Sequence, residues 1–376
     1  MLKKESEKTF FLIAIAFGVL ARFVIMSFGH NFDFESYCIV GEIAGNFRSV
    51  YAETSRYNYG FIFFCIQGLL YRIAECNPTN VLLTYRLLIV SVLTMADLGI
   101  ALVLADKKTW KTALIFFLNP ISIFITGYHN QFDNIAILLA LLSMYFYNEE
   151  ERINKNDLIF ILFIALSLIT KHILFMLPLF LLLKRSLPLK KKVLYVFVPV
   201  IIFLLSFVPF AMVSKEAFCG ILNNVFLYKS FNNAPLLRLI YRMIDFPNSL
   251  YFVVYGLLMC VTAFIVRKTN YEKMLMIYMI AMVSFSSAMA NQYLAIPMAA
   301  ICFFESGIWK YVYMLSMSVY LLLEEAGLGL VNSPVIQQSE MMSTIGSICI
   351  RGGYTLATLI LLLIIIKICK GSKHNL

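Results

Sequence analysis

The chain has 376 residues, of which 61% are hydrophobic and 14% are charged, and its formal net charge is +10. A soluble domain is typically about 45–50% apolar and about 25% charged, so this composition excludes a water-soluble protein and predicts a polytopic membrane protein. The basic residues stand in short clusters between apolar segments. Such clusters are typical of loops on one side of a membrane and argue against a nucleic-acid-binding surface.

The first segment, MLKKESEKTFFLIAIAFGVLARFVIM, begins like a secretory signal peptide. No small-residue cleavage site follows its apolar run, so we expect a retained first helix. A spanning helix takes about 20 apolar residues, and twelve runs qualify or nearly do. These runs are 9–27, 81–105, 112–127, 132–148, 157–170, 172–184, 192–213, 249–266, 274–290, 293–306, 310–324 and 350–368.

The basic clusters predict which side of the membrane each loop occupies. All seven clusters are cytoplasmic, together with both termini, if the additional apolar run 59–74 lies in the outer interface rather than spanning. We interpret the run 157–184 as two short spans, with a single long broken helix as the alternative. The seven clusters are Lys3/Lys4/Lys8, Lys107/Lys108/Lys111, Arg152/Lys155, Lys184/Arg185/Lys190/Lys191/Lys192, Arg267/Lys268/Lys273, Lys310 and Lys367/Lys370/Lys373.

The region 28–80 is the predicted first outer loop, and it begins with the carboxylates of Asp33 and Glu35. A carboxylate desolvated at the membrane surface has a raised pKa and can act as a general base on a hydroxyl. The same pair could instead bind a divalent cation such as Mg²⁺ or Mn²⁺. Solvated loop charge is the structural alternative to both roles.

The segment GYHNQFDNIAILL, residues 127–139, places five polar side chains between two apolar runs. Polar and ionisable groups at a membrane boundary are candidates for a functional site, here His129, Gln131 and Asp133. Capping of the helix that begins near Ile135 is the alternative for Asp133, but it accounts for only one of the five side chains.

Lys171 and His172 interrupt the apolar run 157–184. A buried cation is costly unless it meets an anion, and a phosphate in the outer leaflet would satisfy both side chains. The competing interpretation is that Lys171 extends its ammonium group to the membrane surface.

Two further outer segments carry polar residues. Gln292 and Tyr293 lie at another helix boundary, where a tyrosine can equally belong to an interfacial aromatic belt. The loop 214–248 carries Lys229 and Arg238, which suit an anionic lipid or a sugar phosphate and equally a solvated loop. The sequence has no P-loop, HExxH or Ser-His-Asp spacing, and its eight cysteines lack metal-ligand spacing. Because no nucleotide-binding motif is present, a transfer reaction on this face would need a donor substrate that is already activated and attached to a lipid.

The order of these motifs resembles the GT-C glycosyltransferases, polytopic enzymes that use polyprenyl-phosphate sugars. FDFESY, VYAETSRYNYG, LNPISI and a later QY are similar to the glycosylphosphatidylinositol mannosyltransferase I type. HNQFDN and TKHILFMLP are similar to the polar turn and the Lys-or-His step of the dolichyl-phosphate-glucose glucosyltransferases. The likeness covers about residues 1–185 and a patch near 285–300. Glu35 stands where the mannosyltransferases have the second Asp of a D-x-D pair, and Gly60 where they have Pro, so metal use and the donor sugar stay open.

The resemblance implies a role for each matching residue. Asp33 would be the base that deprotonates the acceptor hydroxyl in an inverting displacement at the anomeric carbon. Glu35 would support this base or assist a cation. The remaining positions would form the substrate-binding cavity. Gln131, Asp133 and the nearby His129 would line the pocket for the sugar or the acceptor, and Lys171 and His172 would bind the donor phosphate. Gln292 and Tyr293 would form the far wall of the cavity.

We therefore expect an all-α, GT-C-like integral membrane protein of about twelve transmembrane helices with an interfacial first outer loop. Residues 1–376 would form one membrane domain, with a GT-C-like module over 1–185 and variable helices over 186–376. The Ile-, Lys- and Phe-rich composition is typical of an AT-rich bacterial genome, so we expect the plasma membrane and an extracytoplasmic active site. There it would transfer mannose or glucose from a polyprenyl-phosphate donor to a glycolipid, a lipid-linked glycan or a cell-wall polymer. The alternatives are a transporter or flippase of lipid-linked sugars, whose polar sites lie near the midplane on broken helices, and a non-catalytic assembly subunit.

Overall fold

The structure is a computed structural model that describes residues 5–228, 234–236, 247, 250–304 and 307–373. The described residues form helices and no strand, which confirms the all-α prediction. In chain order the helices are α1 Glu5–Ser27, α2 Phe32–Gly45, α3 Val50–Glu53, α4 Phe61–Glu75, α5 Val81–Lys107, α6 Trp110–Phe117, α7 Pro120–Phe124, α8 Asp133–Leu142, α9 Lys155–Thr170, α10 Leu177–Leu183, α11 Leu189–Leu205, α12 Val208–Ala211, α13 Lys215–Ile221, α14 Tyr251–Val266, α15 Tyr271–Phe285, α16 Met298–Phe303, α17 Ile308–Leu323, α18 Pro334–Gln337 and α19 Glu340–Lys373.

Short helical turns join or extend several of these helices. A π-helical turn, Ile125–His129, continues α7, and a 3-10 turn, His172–Leu174, connects α9 to α10. Another 3-10 turn, Asn291–Leu294, precedes α16. These three turns contain four of the ten positions that the sequence singles out, namely His129, His172, Gln292 and Tyr293. Gln131, Asp133 and Lys171 lie within four residues of a turn.

Four helices of the described chain are long and apolar enough to cross a membrane: Glu5–Ser27, Val81–Lys107, Leu189–Ala211 and Glu340–Lys370. Two bent pairs also qualify when each is taken together. They are Trp110–Phe117 with Pro120–His129, bent by 46°, and Lys155–Thr170 with His172–Leu183, bent by 110°. The chain therefore has four to six candidate spans by length and composition, and the arrangement of twelve spans stays a prediction.

Large apolar side chains on the candidate spans are exposed. On α1, Leu12, Phe17 and Leu20 each expose about three fifths or more of their surface. Soluble monomers rarely expose apolar surface so extensively, whereas a helix that faces lipid does so along its whole length. The exposed surface thus supports a membrane protein, as the composition predicts.

The chain divides into two compact units. The first unit comprises Met1–Gly29, Ala101–Tyr128 and Ser230–Leu376, and the second comprises His30–Ile100 and His129–Lys229. In the first unit, α15 is apolar on all sides and nearly every residue is buried, so it forms the centre of that unit. α14 and α19 pack against it, and α17 packs against α19.

The second unit joins the close helix pair of α2 and α4 to a group of longer helices. α2 and α4 pack against each other at Gly68, where a Cβ atom would lie 2.8 Å from Ala44. A side chain there would push the two backbones apart, so the pair depends on a glycine. α9 packs against both α8 and α11 and brings the polar break at Lys171 beside the start of α8.

Candidate functional site

Asp33 lies in the first turn of α2, where the sequence fixes its position locally. Asn31 is the N-cap residue, and its side-chain oxygen accepts a hydrogen bond from the Asp33 backbone N–H at 3.1 Å. The Asn31 amide nitrogen also donates to Asp33 Oδ2 at 2.9 Å. The helix dipole favours a carboxylate in the first turn, and the cap fixes the position of this one, while burial opposes its ionised form.

Gln131 connects Asp33 to Lys171. Its amide nitrogen donates to Asp33 Oδ2 at 2.6 Å, and its amide oxygen accepts from Lys171 Nζ at 3.3 Å. Asp33 Oδ2 therefore accepts two amide donors, while Asp33 Oδ1 has no hydrogen-bond partner within the described part of the chain. Asp33 itself is only partly buried, so one of its oxygens is held in place and the other is left for an incoming hydroxyl.

Lys171 and Asp133 form an ion pair at 2.6 Å, and their side chains are only 5% and 3% exposed. Lys171 has extended backbone geometry at the break after α9, and Asp133 is the first residue of α8. No side chain caps α8, so helix capping does not account for Asp133. Burial also excludes the interpretation that Lys171 extends its ammonium group to the membrane surface.

Aromatic rings surround this ion pair. The Lys171 ammonium lies 5.0 Å from the ring centre of Tyr59 and 4.7 Å from that of Phe132, within cation–π range. Tyr59 in turn lies 5.7 Å from the His172 ring, which is half-buried beside it. The rings form an apolar wall around the charges and strengthen their mutual attraction by excluding water.

Gly60 allows the loop that carries Tyr59 to pack closely against the end of α9. A Cβ atom at Gly60 would overlap the backbone carbonyl oxygen of Ile169, two residues before Lys171. The loop that carries Tyr59 thus touches the end of α9 directly. Close approach of the two backbones therefore explains why a glycine stands at position 60.

His129 and Asn130 extend the network on the other side of Asn31. Asn31 Nδ2 donates to His129 Nδ1 at 2.7 Å, which makes Nδ1 an acceptor and the ring neutral. Asn130 adopts a positive φ of 56°, and its side-chain oxygen accepts from Arg86 Nε at 3.3 Å. Arg86 was not singled out in the sequence, although a lone arginine at the start of a long apolar run was a signal for it.

Burial raises the pKa of Asp33 above its ordinary value, and hydrogen bonds from Asn31 and Gln131 together with the positive charge of Lys171 act in the opposite direction. A carboxylate with a raised pKa is a stronger base than an ordinary one. The position can therefore take a proton from a substrate hydroxyl.

Glu35 does not join Asp33. Two residues along a helix turn by about 200°, so the two side chains leave α2 on different faces. Glu35 is exposed and lies 4.0 Å from Arg56. No group of three or more His, Cys, Asp or Glu side chains among the described residues is arranged to hold a metal ion. The two carboxylates are thus directed to different sides of α2, and metal use by the protein stays a prediction.

Gln292 and Tyr293 belong to the first unit, whereas the other described candidates belong to the second. Both lie half-buried in the turn before α16. Their neighbour Asn291 is buried and makes the polar contacts, donating to Glu324 at 2.7 Å and accepting from the Tyr354 hydroxyl at 2.6 Å. The remaining candidate, Arg238, and its neighbour Lys229 lie outside the described residues.

A second buried polar contact adjoins the site and was missed in the sequence. Asn134, next to Asp133, donates to Asp97 at 2.9 Å and to the Leu93 carbonyl oxygen at 2.8 Å. Asp97 stands in the middle of α5, where a carboxylate inside an apolar run was the available signal. This contact fixes the start of α8 and so the direction in which Asp133 points.

Comparison of the chain with protein-family models, with curated proteins and with solved structures finds no match. The site combines a partly open carboxylate, a buried ammonium group that is paired to a second carboxylate, and aromatic rings beside both.

Proposed function

We propose that this protein is an integral-membrane, inverting hexosyltransferase that moves mannose or glucose from a polyprenyl-phosphate donor to a lipid-linked or cell-envelope glycan. The acceptor oxygen attacks the anomeric carbon, the bond from that carbon to the phosphate oxygen breaks, and polyprenyl phosphate leaves. The acceptor proton passes to Asp33. Because the phosphate is already a good leaving group, the protein mainly orients the substrates, removes one proton and balances charge.

The observation that carries this proposal is the state of the Asp33 carboxylate. Its Oδ2 atom is fixed by amide donors from Asn31 and Gln131, and its Oδ1 atom is left without a donor in the described part of the chain. A general base needs this combination of a fixed orientation and a reachable lone pair. The network that fixes it continues through Gln131 to Lys171, which places a cation near the base.

Lys171 can bind a donor phosphate without leaving Asp133. An ammonium group has three N–H donors, and in the described chain Lys171 directs two of them to Asp133 and Gln131. We assign the third to a phosphate oxygen, with the half-buried His172 ring close by, beside Tyr59. Because the ammonium group is buried against Tyr59 and Phe132, these rings must move to admit the phosphate. We assign the aromatic side chains of Tyr59 and Phe132 to contact with the sugar ring or the adjoining lipid.

A second candidate is a transporter or flippase of lipid-linked sugars. It is favoured by the 110° bend at Lys171, because transporters often bind substrates at charged residues on broken helices. We rank it lower because the Asp33 carboxylate lies on α2, which is not one of the candidate spans. A translocating residue would be expected within a span.

The test is transfer of radiolabelled hexose from synthetic polyprenyl-phosphate mannose or glucose in membranes that contain the protein. We expect Asp33→Asn to lower transfer by about 10²–10⁴-fold, the typical contribution of a general base. Glu151→Gln, which neutralises an exposed carboxylate in a loop, is the matched control and should leave transfer unchanged.

Each outcome separates the alternatives. Transfer that survives Asp33→Asn would keep the enzyme class and remove Asp33 as its base. Absence of transfer with both donors, together with movement of a fluorescent lipid-linked sugar across proteoliposomes, would replace the transferase with the transporter.

A further inference from the structure

A groove of about 710 Å³ opens in the second unit, away from the polar network of Asp33. Its walls come from the end of α2 and the loop after it, from α4, and from α12 and the segment that follows α12. The lining is mainly apolar and includes Phe64, Leu69, Phe210 and Val213. Phe210 and Val213 lie at the end of the candidate span Leu189–Ala211, so the groove adjoins the end of an apolar helix that is long enough to cross a membrane.

Two arginines line the same groove, Arg48 from the loop after α2 and Arg72 from α4. Arg48 lies 3.3 Å from Glu42 and 2.7 Å from Glu53, and Arg72 lies 3.0 Å from Glu75. All five side chains are more than a third exposed. Exposed ion pairs contribute little to stability, so these groups can exchange partners at low cost.

Phe47 stands at the mouth of the groove in an unusual conformation. Its φ is 56°, which is rare for a bulky residue, and its side chain is 93% exposed. The strained backbone is held by hydrogen bonds from Phe47 N–H to Ala44 O and from Arg48 N–H to Ile43 O, both at 3.0 Å. An aromatic ring held outward beside an apolar groove is suited to the interface between lipid chains and headgroups.

We propose that this groove binds a zwitterionic phospholipid of the phosphatidylethanolamine class. One acyl chain lies along Phe64 and Leu69, the phosphate contacts Arg48 and Arg72, and the ammonium contacts the neighbouring glutamates. The charged side chains at the groove favour this headgroup over an anionic one. Two arginines and three glutamates carry a net charge of −1, which disfavours a purely anionic lipid and offers partners to both ends of a zwitterion. The proposal does not rest on the transferase activity.

A native cysteine provides the probe. Cys65 lines the groove, whereas Cys76 lies just after α4 and outside the lining, and both are exposed and free. We would measure the rate of maleimide modification at each cysteine by peptide mass spectrometry, in the full chain in a fixed detergent. Phosphatidylethanolamine is compared with phosphatidylglycerol at equal concentrations.

We expect phosphatidylethanolamine to slow modification of Cys65 about fourfold when the lipid is at about three times its dissociation constant, since a quarter of the sites are then free. The rate at Cys76 should not change. The double variant Arg48→Gln/Arg72→Gln should abolish the protection, while Arg56→Gln, an exposed arginine outside the lining, should retain it. Equal protection by phosphatidylglycerol, equal slowing at Cys76, or no protection at all would each overturn the proposal.

Discussion

The ammonium of Lys171 lies 2.6 Å from the carboxylate of Asp133, and 38 positions separate the two residues in the chain. Both side chains are almost fully buried, one at a helix break and the other at a helix start. Removing one partner of such a pair leaves an uncompensated buried charge.

We therefore predict that Lys171→Met lowers the free energy of unfolding by about 3–5 kcal/mol, and that Lys171→Met/Asp133→Leu restores part of the loss. Thermal unfolding of the detergent-solubilised protein measures both. The control is Glu272→Gln, because the Lys107–Glu272 pair has the same 2.6 Å length but is partly exposed, and it should cost about 1 kcal/mol or less. Equal costs at both pairs would show that burial does not decide the contribution.

We expect the ionised Asp33 carboxylate to lower the stability of the folded protein, although the proposed transfer activity requires it. Burial raises the pKa of Asp33 in the folded state above its ordinary value. Protonation of Asp33 therefore stabilises the folded protein fully below the ordinary pKa, and this stabilisation is lost as the pH rises through the raised pKa. At neutral pH, Asp33→Asn should thus raise the unfolding temperature while it abolishes transfer. The gain should shrink as the pH falls through the raised pKa of Asp33, because the wild-type carboxyl group then becomes protonated in the folded state. A variant that loses stability at neutral pH would indicate a structural role for the carboxylate.

Gly60→Ala tests the approach of the Tyr59 loop to the end of α9. The added Cβ atom would overlap the Ile169 carbonyl oxygen, so the loop must move and Tyr59 must leave Lys171. We expect a loss of about 1–3 kcal/mol in unfolding free energy, the usual cost of overpacking, and a large loss of transfer. Gly256→Ala in α14 is the control, because a Cβ atom there meets nothing within 4 Å. It should leave transfer unchanged and raise the unfolding free energy by about 0.5–1 kcal/mol, the usual gain of alanine over glycine inside a helix.

Glu35 and Asp33 should differ sharply in their contribution to activity. Since Glu35 is exposed and lies near Arg56, we expect Glu35→Gln to change transfer by less than about threefold, the scale of a minor surface effect. A chelator of divalent cations should likewise have little effect, because the Asp33–Glu35 pair does not converge on one point. Activity that is lost on chelation and restored by Mg²⁺ or Mn²⁺ would contradict this geometry.

Much of this molecule is determined by local sequence. The apolar runs predict helices and a membrane because composition and run length act on each segment independently. The break at Lys171 and the cap at Asn31 also arise locally, because helix termini are set by neighbouring residues. The first outer loop, Asp33 and the polar turn with Gln131 can all be found in the sequence as unusual polar positions.

Tertiary structure alone decided which of these groups meet. Gln131 binds Asp33 across 98 positions of the chain, and the anion that neutralises Lys171 is Asp133 of the same polar turn. Glu35 lies only two residues from Asp33 and yet points elsewhere, because α2 begins before both and rotates them apart. Local sequence fixes where polar groups occur along the chain, but pairing and charge balance depend on contacts between distant segments, and these exist only after the helices have packed.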